Sequence, residues 1–301
     1  MPAVLHRTAT PTTTATGPLL GLVCAALATV VWSGSFVTSR GLHDSVPPIQ
    51  HAFWRWVIAL LAVAPFGARQ AWRRRALLRR HARYVLLASF LGVAVYNTLV
   101  NQAGLTTPAA TMGMIMAASP VLMALFERLG GARLGARRTT GLLIACAGVA
   151  FLVGDGATFS PGDLWMIAAA CSFAGYSALL RRRPAELGGT AFLFTTFLTG
   201  TVLLLPVQAA SVALQGGFTP TPGTVLPLLY VGVASSAIAF FAWNKAVTLI
   251  GATRAGIVYY LQPVCVAVLS WAVLGETTGW PQLLSMGLIL GGVVLGAGPR
   301  R

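Results

Sequence analysis

Apolar runs of about 20 residues, separated by short polar punctuation, constrain this chain more than any other feature. A bilayer's hydrocarbon core is about 30 Å thick, and a helix crosses it in roughly 17–25 residues. Ten runs meet or approach that length: 19–38, 49–67, 84–103, 106–126, 139–154, 163–180, 191–209, 225–246, 252–274 and 280–297. Only 9% of the 301 residues are charged, against about 25% in a soluble domain. Such a chain cannot solvate its own surface in water. Leu19 onward resembles the start of a signal peptide, but the run is too long for one and further spans follow, so it reads as an uncleaved first span. Gly17-Pro18, Pro47-Pro48, Gly130-Gly131, Gly188-Gly189 and Gly216-Gly217 punctuate the connections.

The formal net charge of +15 would suggest nucleic acid if it formed one surface. It does not. With the N-terminus in the cytoplasm, nineteen of the 21 basic residues fall on the cytoplasmic side, which the positive-inside bias favours. Arg40 falls outside, and Arg55 lies within the second span. Both termini are then cytoplasmic. The basic residues act as topology signals with some contact to anionic lipid, and no nucleic-acid partner is expected. Cys24, Cys146, Cys171 and Cys265 sit singly in apolar segments and read as inert packing residues. No cofactor or metal is expected.

The chain repeats itself. Asn101–Phe126 laid on Asn244–Leu269 pairs Asn101 with Asn244, Gly113 with Gly256, Pro120 with Pro263 and four further identities. Gly34/Gly175 and Arg40/Arg181 relate the first and sixth spans, and Gly148-Val149 and Gly292-Val293 the fifth and tenth. Each half has five spans. Five is odd, so the second half enters the membrane from the opposite side. The predicted fold is all-α: a polytopic membrane protein of ten transmembrane helices in two inverted five-helix repeats. The predicted divisions are a disordered tail at 1–18, repeats at 19–157 and 158–297, and a tail at 298–301. Inverted repeats are a recurrent build of secondary transporters, with the substrate site where the halves meet.

Trp32–Val37 (WSGSFV), Tyr96–Leu99 (YNTL), Ala117–Val121 (AASPV), Gly162–Trp165 (GDLW), and the run from Ala239 (AFFAWNKAV) through Leu261–Val264 (LQPV) to Leu274–Glu276 (LGE) resemble the drug/metabolite transporter superfamily, EamA type. The resemblance spans roughly residues 19 to 297. It implies a central cavity lined by the first, third, fourth, sixth, eighth and ninth spans. It also implies export of amino acids, other metabolites or toxic organics by alternating access. Glu127 departs from the family pattern by arriving early in the first-half copy.

Polar groups inside a span are functional candidates, because hydrocarbon penalises them unless they are paired. Asn101 and Asn244 read either as helix-end residues bonding backbone across a turn or as cavity ligands. Tyr96 and Asn97 lie deeper. Pro120 and Pro263 each remove an interior backbone hydrogen bond and mark kinks. Tyr259, Tyr260 and Gln262 precede or flank the second kink. Adjacent helical residues point about 100° apart, so one of the two tyrosines is expected to face packing. Trp32 and Tyr176 sit mid-span, and Trp32, Ser35, Phe36 and Ser39 share a face. Candidate substrate contacts are therefore Trp32, Ser35, Tyr96, Asn97, Asn101, Tyr176, Trp243, Asn244, Tyr259, Tyr260 and Gln262. Arg55 either snorkels to the outer interface or faces the cavity and holds a substrate carboxylate. Trp54, Trp56 and Trp280 read as interface-belt residues. Gly141-x-x-x-Ala145, Gly287-x-x-x-Gly291 and Gly292-x-x-x-Gly296 read as close-packing seams, within a half or in a homodimer.

None of the six acids lies at mid-depth. That argues against a midplane carboxylate trading protons for cationic drugs, and for a neutral or zwitterionic solute. Multidrug efflux is the alternative. A membrane-embedded enzyme lacks a nucleophile–base pair or metal ligands at depth.

Overall fold

In a computed structural model, described for residues 16–119, 122–123, 135–154 and 160–296, the described residues are helical and contain no strand. Of the expected tail at 1–18, residues 1–15 lie outside them, whereas Thr16–Pro18 are helical and begin the first span; the tail at 298–301, Pro120 and Glu127 also lie outside them. Among the described residues, seven helices are long and apolar enough to cross a membrane: Gly17–Gly41, Pro48–Arg73, Ala82–Ala103, Pro161–Leu180, Gly189–Gln215, Pro222–Gly251 and Arg254–Leu274. Shorter apolar helices cover Thr139–Leu152 and Trp280–Gly296. The expected fourth span is described as a helix from Ala109 to Ala117.

We number the helices α1 (Thr16–Gly41), α2 (Pro48–Arg73), α3 (Arg75–Arg80), α4 (Ala82–Ser89), α5 (Tyr96–Ala103), α6 (Ala109–Ala117), α7 (Ala136–Gly154), α8 (Pro161–Arg181), α9 (Gly189–Gln215), α10 (Pro222–Leu229), α11 (Ala239–Tyr259), α12 (Gln262–Leu274) and α13 (Trp280–Gly296). Two π-helical segments, Phe90–Val95 and Tyr230–Ile238, join α4 to α5 and α10 to α11. They occupy matching places in the two halves, and the repeat offset was the only sequence signal that related them.

Packing is reciprocal between the halves. The first span (α1) packs on α11 of the eighth, and α5 of the third on α8, the sixth. The second packs on the seventh (α2 on α9), the fourth on the ninth (α6 on α12), and the fifth on the tenth (α7 on α13). Exchanging the halves returns the same list of pairs, so every span's main partner belongs to the other repeat. The largest buried apolar cluster, around Met112, Met114, Met116, Met166 and Val266, draws on both halves.

The fifth–tenth seam shows the spacing rule at work. A Cβ on Gly141 would lie 2.5 Å from the Gly292 carbonyl, and one on Gly292 would lie 2.5 Å from the Ala145 nitrogen. Gly287 and Gly291 have no such neighbour. The close approach therefore uses the second of the two tenth-span motifs, and it joins the halves of one chain. Overpacking a tight seam costs about 1–3 kcal/mol. Gly292→Leu should lower the thermal midpoint in detergent, whereas Gly291→Leu should leave it near the wild-type value; a scan of the two variants checks this.

Candidate substrate site

A π-helical turn widens the helix and disturbs the local bonding pattern, which is why such segments collect at functional sites. Here side chains from neighbouring spans bond to its carbonyls. Trp56 Nε1 donates to the Val93 carbonyl at 3.1 Å, and Ser172 Oγ to Leu91 at 2.9 Å. In the second half, Trp32 Nε1 donates to the Ser235 carbonyl at 2.9 Å. The wide turn also presents two consecutive hydroxyls, Ser235 and Ser236, both buried.

Those hydroxyls meet Arg55. Its Nε donates to Ser236 Oγ at 3.1 Å and its Nη2 to Ser235 Oγ at 3.2 Å. Ser235 Oγ also shares a hydrogen bond of 2.6 Å with Ser35 Oγ. Arg55 is only 8% exposed. It does not snorkel; it points into the protein, its guanidinium 5.6 Å from the centre of the Trp56 ring. Trp56 is correspondingly buried against Phe197, with ring centroids 4.7 Å apart, and is not a belt residue. Trp54 and Trp280 are exposed, as a belt requires. None of the ion pairs among the described residues involves Arg55. One turn earlier on α2, His51 is buried and its Nε2 has no hydrogen-bond partner among the described residues. Its four-residue spacing from Arg55 puts the two on one face of α2.

Beside Arg55 stands an aromatic group. The Trp32, Trp243 and Tyr259 rings lie with centroids 5.5 Å (Trp32–Trp243), 5.9 Å (Trp32–Tyr259) and 5.7 Å (Trp243–Tyr259) apart. Tyr96, packed on Phe173 at 5.5 Å, lies within electrostatic reach of both Arg55 and Tyr259. Gln262 lies within side-chain hydrogen-bonding reach of Tyr259; it is 2% exposed, and its Oε1 has no hydrogen-bond partner among the described residues. Pro263 falls in the first turn of α12, after a break at Tyr260-Leu261, so the expected kink is present. The structure thus brings together Trp32, Ser35, Arg55, Tyr96, Trp243, Tyr259 and Gln262, from both halves.

Other candidates fall elsewhere. Asn244 is exposed and donates to the Phe240 carbonyl of its own helix at 2.8 Å. The eighth span continues beyond it to a break at Gly251, whose φ of 80° and ψ of 156° end the helix. Asn244 is therefore a mid-helix residue, neither turn-bridging nor inward-facing. Its repeat mate Asn101 is buried near the end of α5; it accepts from Ser39 Oγ at 2.7 Å and donates to the Pro48 carbonyl at 3.3 Å, tying three spans together. Asn97 is buried and reaches the Gly92 carbonyl at 3.5 Å. Tyr176 packs over Gly92, where a Cβ would lie 2.7 Å from its ring, in a cluster with Tyr84, Leu187 and Phe192. Tyr260 packs against Ala145 and Val293 at the fifth–tenth seam, whereas Tyr259 joins the aromatic group.

A polar latch closes the end of the bundle where α1 finishes. Arg40 Nε donates to Glu276 Oε1 at 2.8 Å, and its Nη1 donates to the Gly104 and Leu105 carbonyls, each at 3.1 Å. Glu276 Oε2 accepts from Ser270 Oγ and, at 3.0 Å, from the Ala109 N–H at the start of α6. A carboxylate there also complements the helix dipole. Thr107 donates to Asp163 Oδ1 at 2.8 Å, adding α8 to the same junction.

Comparisons with known proteins agree with this architecture. A model of the EamA-like transporter family matches residues 19–154 and again 160–297. The chain belongs to that family. It is 28% identical over 277 residues to a "Probable terminal-alkyne amino-acid exporter" of Streptantibioticus cattleyicolor, covering 89% of this chain and 90% of that protein. It is 27% identical to an "Uncharacterized transporter YdfC" of Bacillus subtilis (88% and 84%), and 25% identical to an "Uncharacterized inner membrane transporter YedA" of Escherichia coli (92% and 90%). A solved crystal structure superposes with a TM-score of 0.62 at 21% identity, covering 94% of this chain and 96% of the other, which shows a shared fold. This EamA-like protein is a multi-pass membrane transporter.

The latch sets a pH dependence. Burial alone would raise the Glu276 carboxyl's pKa; hydrogen bonds from Ser270, Arg40 and the Ala109 amide, with the Arg40 charge, outweigh it and hold the pKa below the ordinary value of 4.5. A depressed folded-state pKa stabilises fully above the unfolded value and less as pH falls through the folded one. Glu276→Gln should therefore melt below wild type at neutral pH. The gap should close below about pH 4, which a pH series of thermal midpoints would check.

Proposed function

We propose that this EamA-like transporter is an inner-membrane exporter of amino acids or related zwitterionic metabolites. It would work by alternating access across ten spans in two inverted five-helix repeats, divided near residue 157, with both termini cytoplasmic. The observation that carries the reading is Arg55, a cation buried between the halves with only serine hydroxyls as hydrogen-bond partners among the described residues. Removing a charge from water without a counter-charge is costly, and a substrate carboxylate supplies one in the geometry a guanidinium prefers. The unpartnered Gln262 Oε1 and the aromatic group offer an acceptor and π-faces to an ammonium group. The name of the Streptantibioticus relative points the same way.

Multidrug efflux fits less well, because the same buried cation repels lipophilic cations.

Hydrogen bonds to charged groups contribute about 1.5–3 kcal/mol, or roughly ten- to hundredfold in affinity. In a thermal-shift and counterflow screen, amino acids should bind and exchange while the matching decarboxylated amines should not. Arg55→Gln should weaken binding by at least about tenfold, and Asn244→Ala should leave it unchanged. Equal binding of amine and amino acid, or an unaltered affinity in Arg55→Gln, would sink the proposal.

A further inference from the structure

A second feature lies away from the site, where α2 ends and α4 begins. A cleft of about 670 Å³ opens there between the end of α2, the short α3, the start of α4, and α9. Arg75, Arg79 and Arg83 line it from α3 and α4, with Leu86 one turn beyond Arg83 and Phe194 and Leu198 contributed by α9. All three arginines are exposed, and none forms an ion pair with a carboxylate among the described residues. The Arg75 guanidinium sits 4.8 Å over the ring of Trp72, a 70%-exposed tryptophan of the kind found at membrane interfaces.

We propose that this cleft binds an anionic glycerophospholipid, its phosphate on Arg75, Arg79 and Arg83 and its acyl chains along α9. Both halves of such a ligand are matched. The arginines lie where the apolar helices Pro48–Arg73 and Ala82–Ala103 meet, and Leu86, Phe194 and Leu198 belong to the apolar helices themselves. Phosphate suits the fork of arginine donors. Basic pockets between transmembrane helices beside the cytoplasmic leaflet recognise anionic headgroups in this way, each cation adding to the attraction. A soluble phosphate would engage the arginines but leave the apolar lining uncovered, so the groove selects the lipid. The proposal is independent of Arg55 and of any transported solute.

The test uses the full-length protein in a neutral detergent, mixed with equimolar phosphatidylglycerol and phosphatidylcholine and read by native mass spectrometry. Bound phosphatidylglycerol should exceed phosphatidylcholine by roughly tenfold. Arg75→Gln/Arg79→Gln/Arg83→Gln should remove the preference, and soluble glycerol phosphate should not compete. Leu198→Trp, which fills the apolar part of the cleft and leaves the arginines intact, should reduce phosphatidylglycerol binding too. Equal retention of the two lipids by the wild-type protein would overturn the proposal. So would an unchanged preference in the triple variant, displacement by glycerol phosphate, or undiminished binding to Leu198→Trp.

Discussion

A polar group in hydrocarbon has to find its partner inside the protein, and the architecture follows from that requirement. It makes the spans helical. It also explains why the irregular places are the informative ones. The π-helical segments in the third and eighth spans expose carbonyls, and tryptophan and serine side chains from other spans pair with them. Winding Tyr230–Ile238 as a π-helix brings Ser235 and Ser236 to face Arg55, where they are its hydrogen-bond partners. What the requirement leaves unmet is equally telling. Among the described residues, Gln262 Oε1 and His51 Nε2 are buried without hydrogen-bond partners, and Arg55 has hydroxyls where an ion of its kind takes a carboxylate.

Reciprocal pairing of the halves gives this arrangement its mechanical sense. Each span packs chiefly on one from the other repeat, so the interface between the repeats runs through the whole bundle. The seams differ in character. Gly141 and Gly292 bring the fifth and tenth spans into backbone contact. By contrast, the junction of Arg40, Glu276 and the turn before α6 is polar and sits at the bundle's end.

Much of this was legible in the residues. Apolar run lengths marked most of the spans, and the Asn101–Pro120 and Asn244–Pro263 match marked the duplication. Pro263 marked a kink, and the angle between helical neighbours said that one of Tyr259 and Tyr260 would pack without saying which; their packing in the folded chain decides it. Other features depended on tertiary context. Two Asn at the same repeat position diverge because α5 ends just after Asn101, whereas the helix carrying Asn244 runs on to Gly251. Trp56 is indistinguishable from its exposed neighbour Trp54 until the Val93 carbonyl gives its indole a partner. Arg55 stood between two fates, and the hydroxyls that decide it lie some 180 residues away. No local pattern announces π winding; only the repeat register relates the two segments.

The central claim is that a substrate carboxylate completes the buried Arg55 site. The most direct measurement is a solid-state NMR distance between the ¹³C-carboxyl of a transported amino acid and ¹⁵N-guanidinium groups in bilayer-embedded protein. A direct pair places carbon and nitrogen within about 4 Å. Strong dipolar dephasing that disappears in Arg55→Lys is the predicted result. A bound substrate whose carboxyl shows no guanidinium contact, or whose contact persists in that variant, would contradict the account.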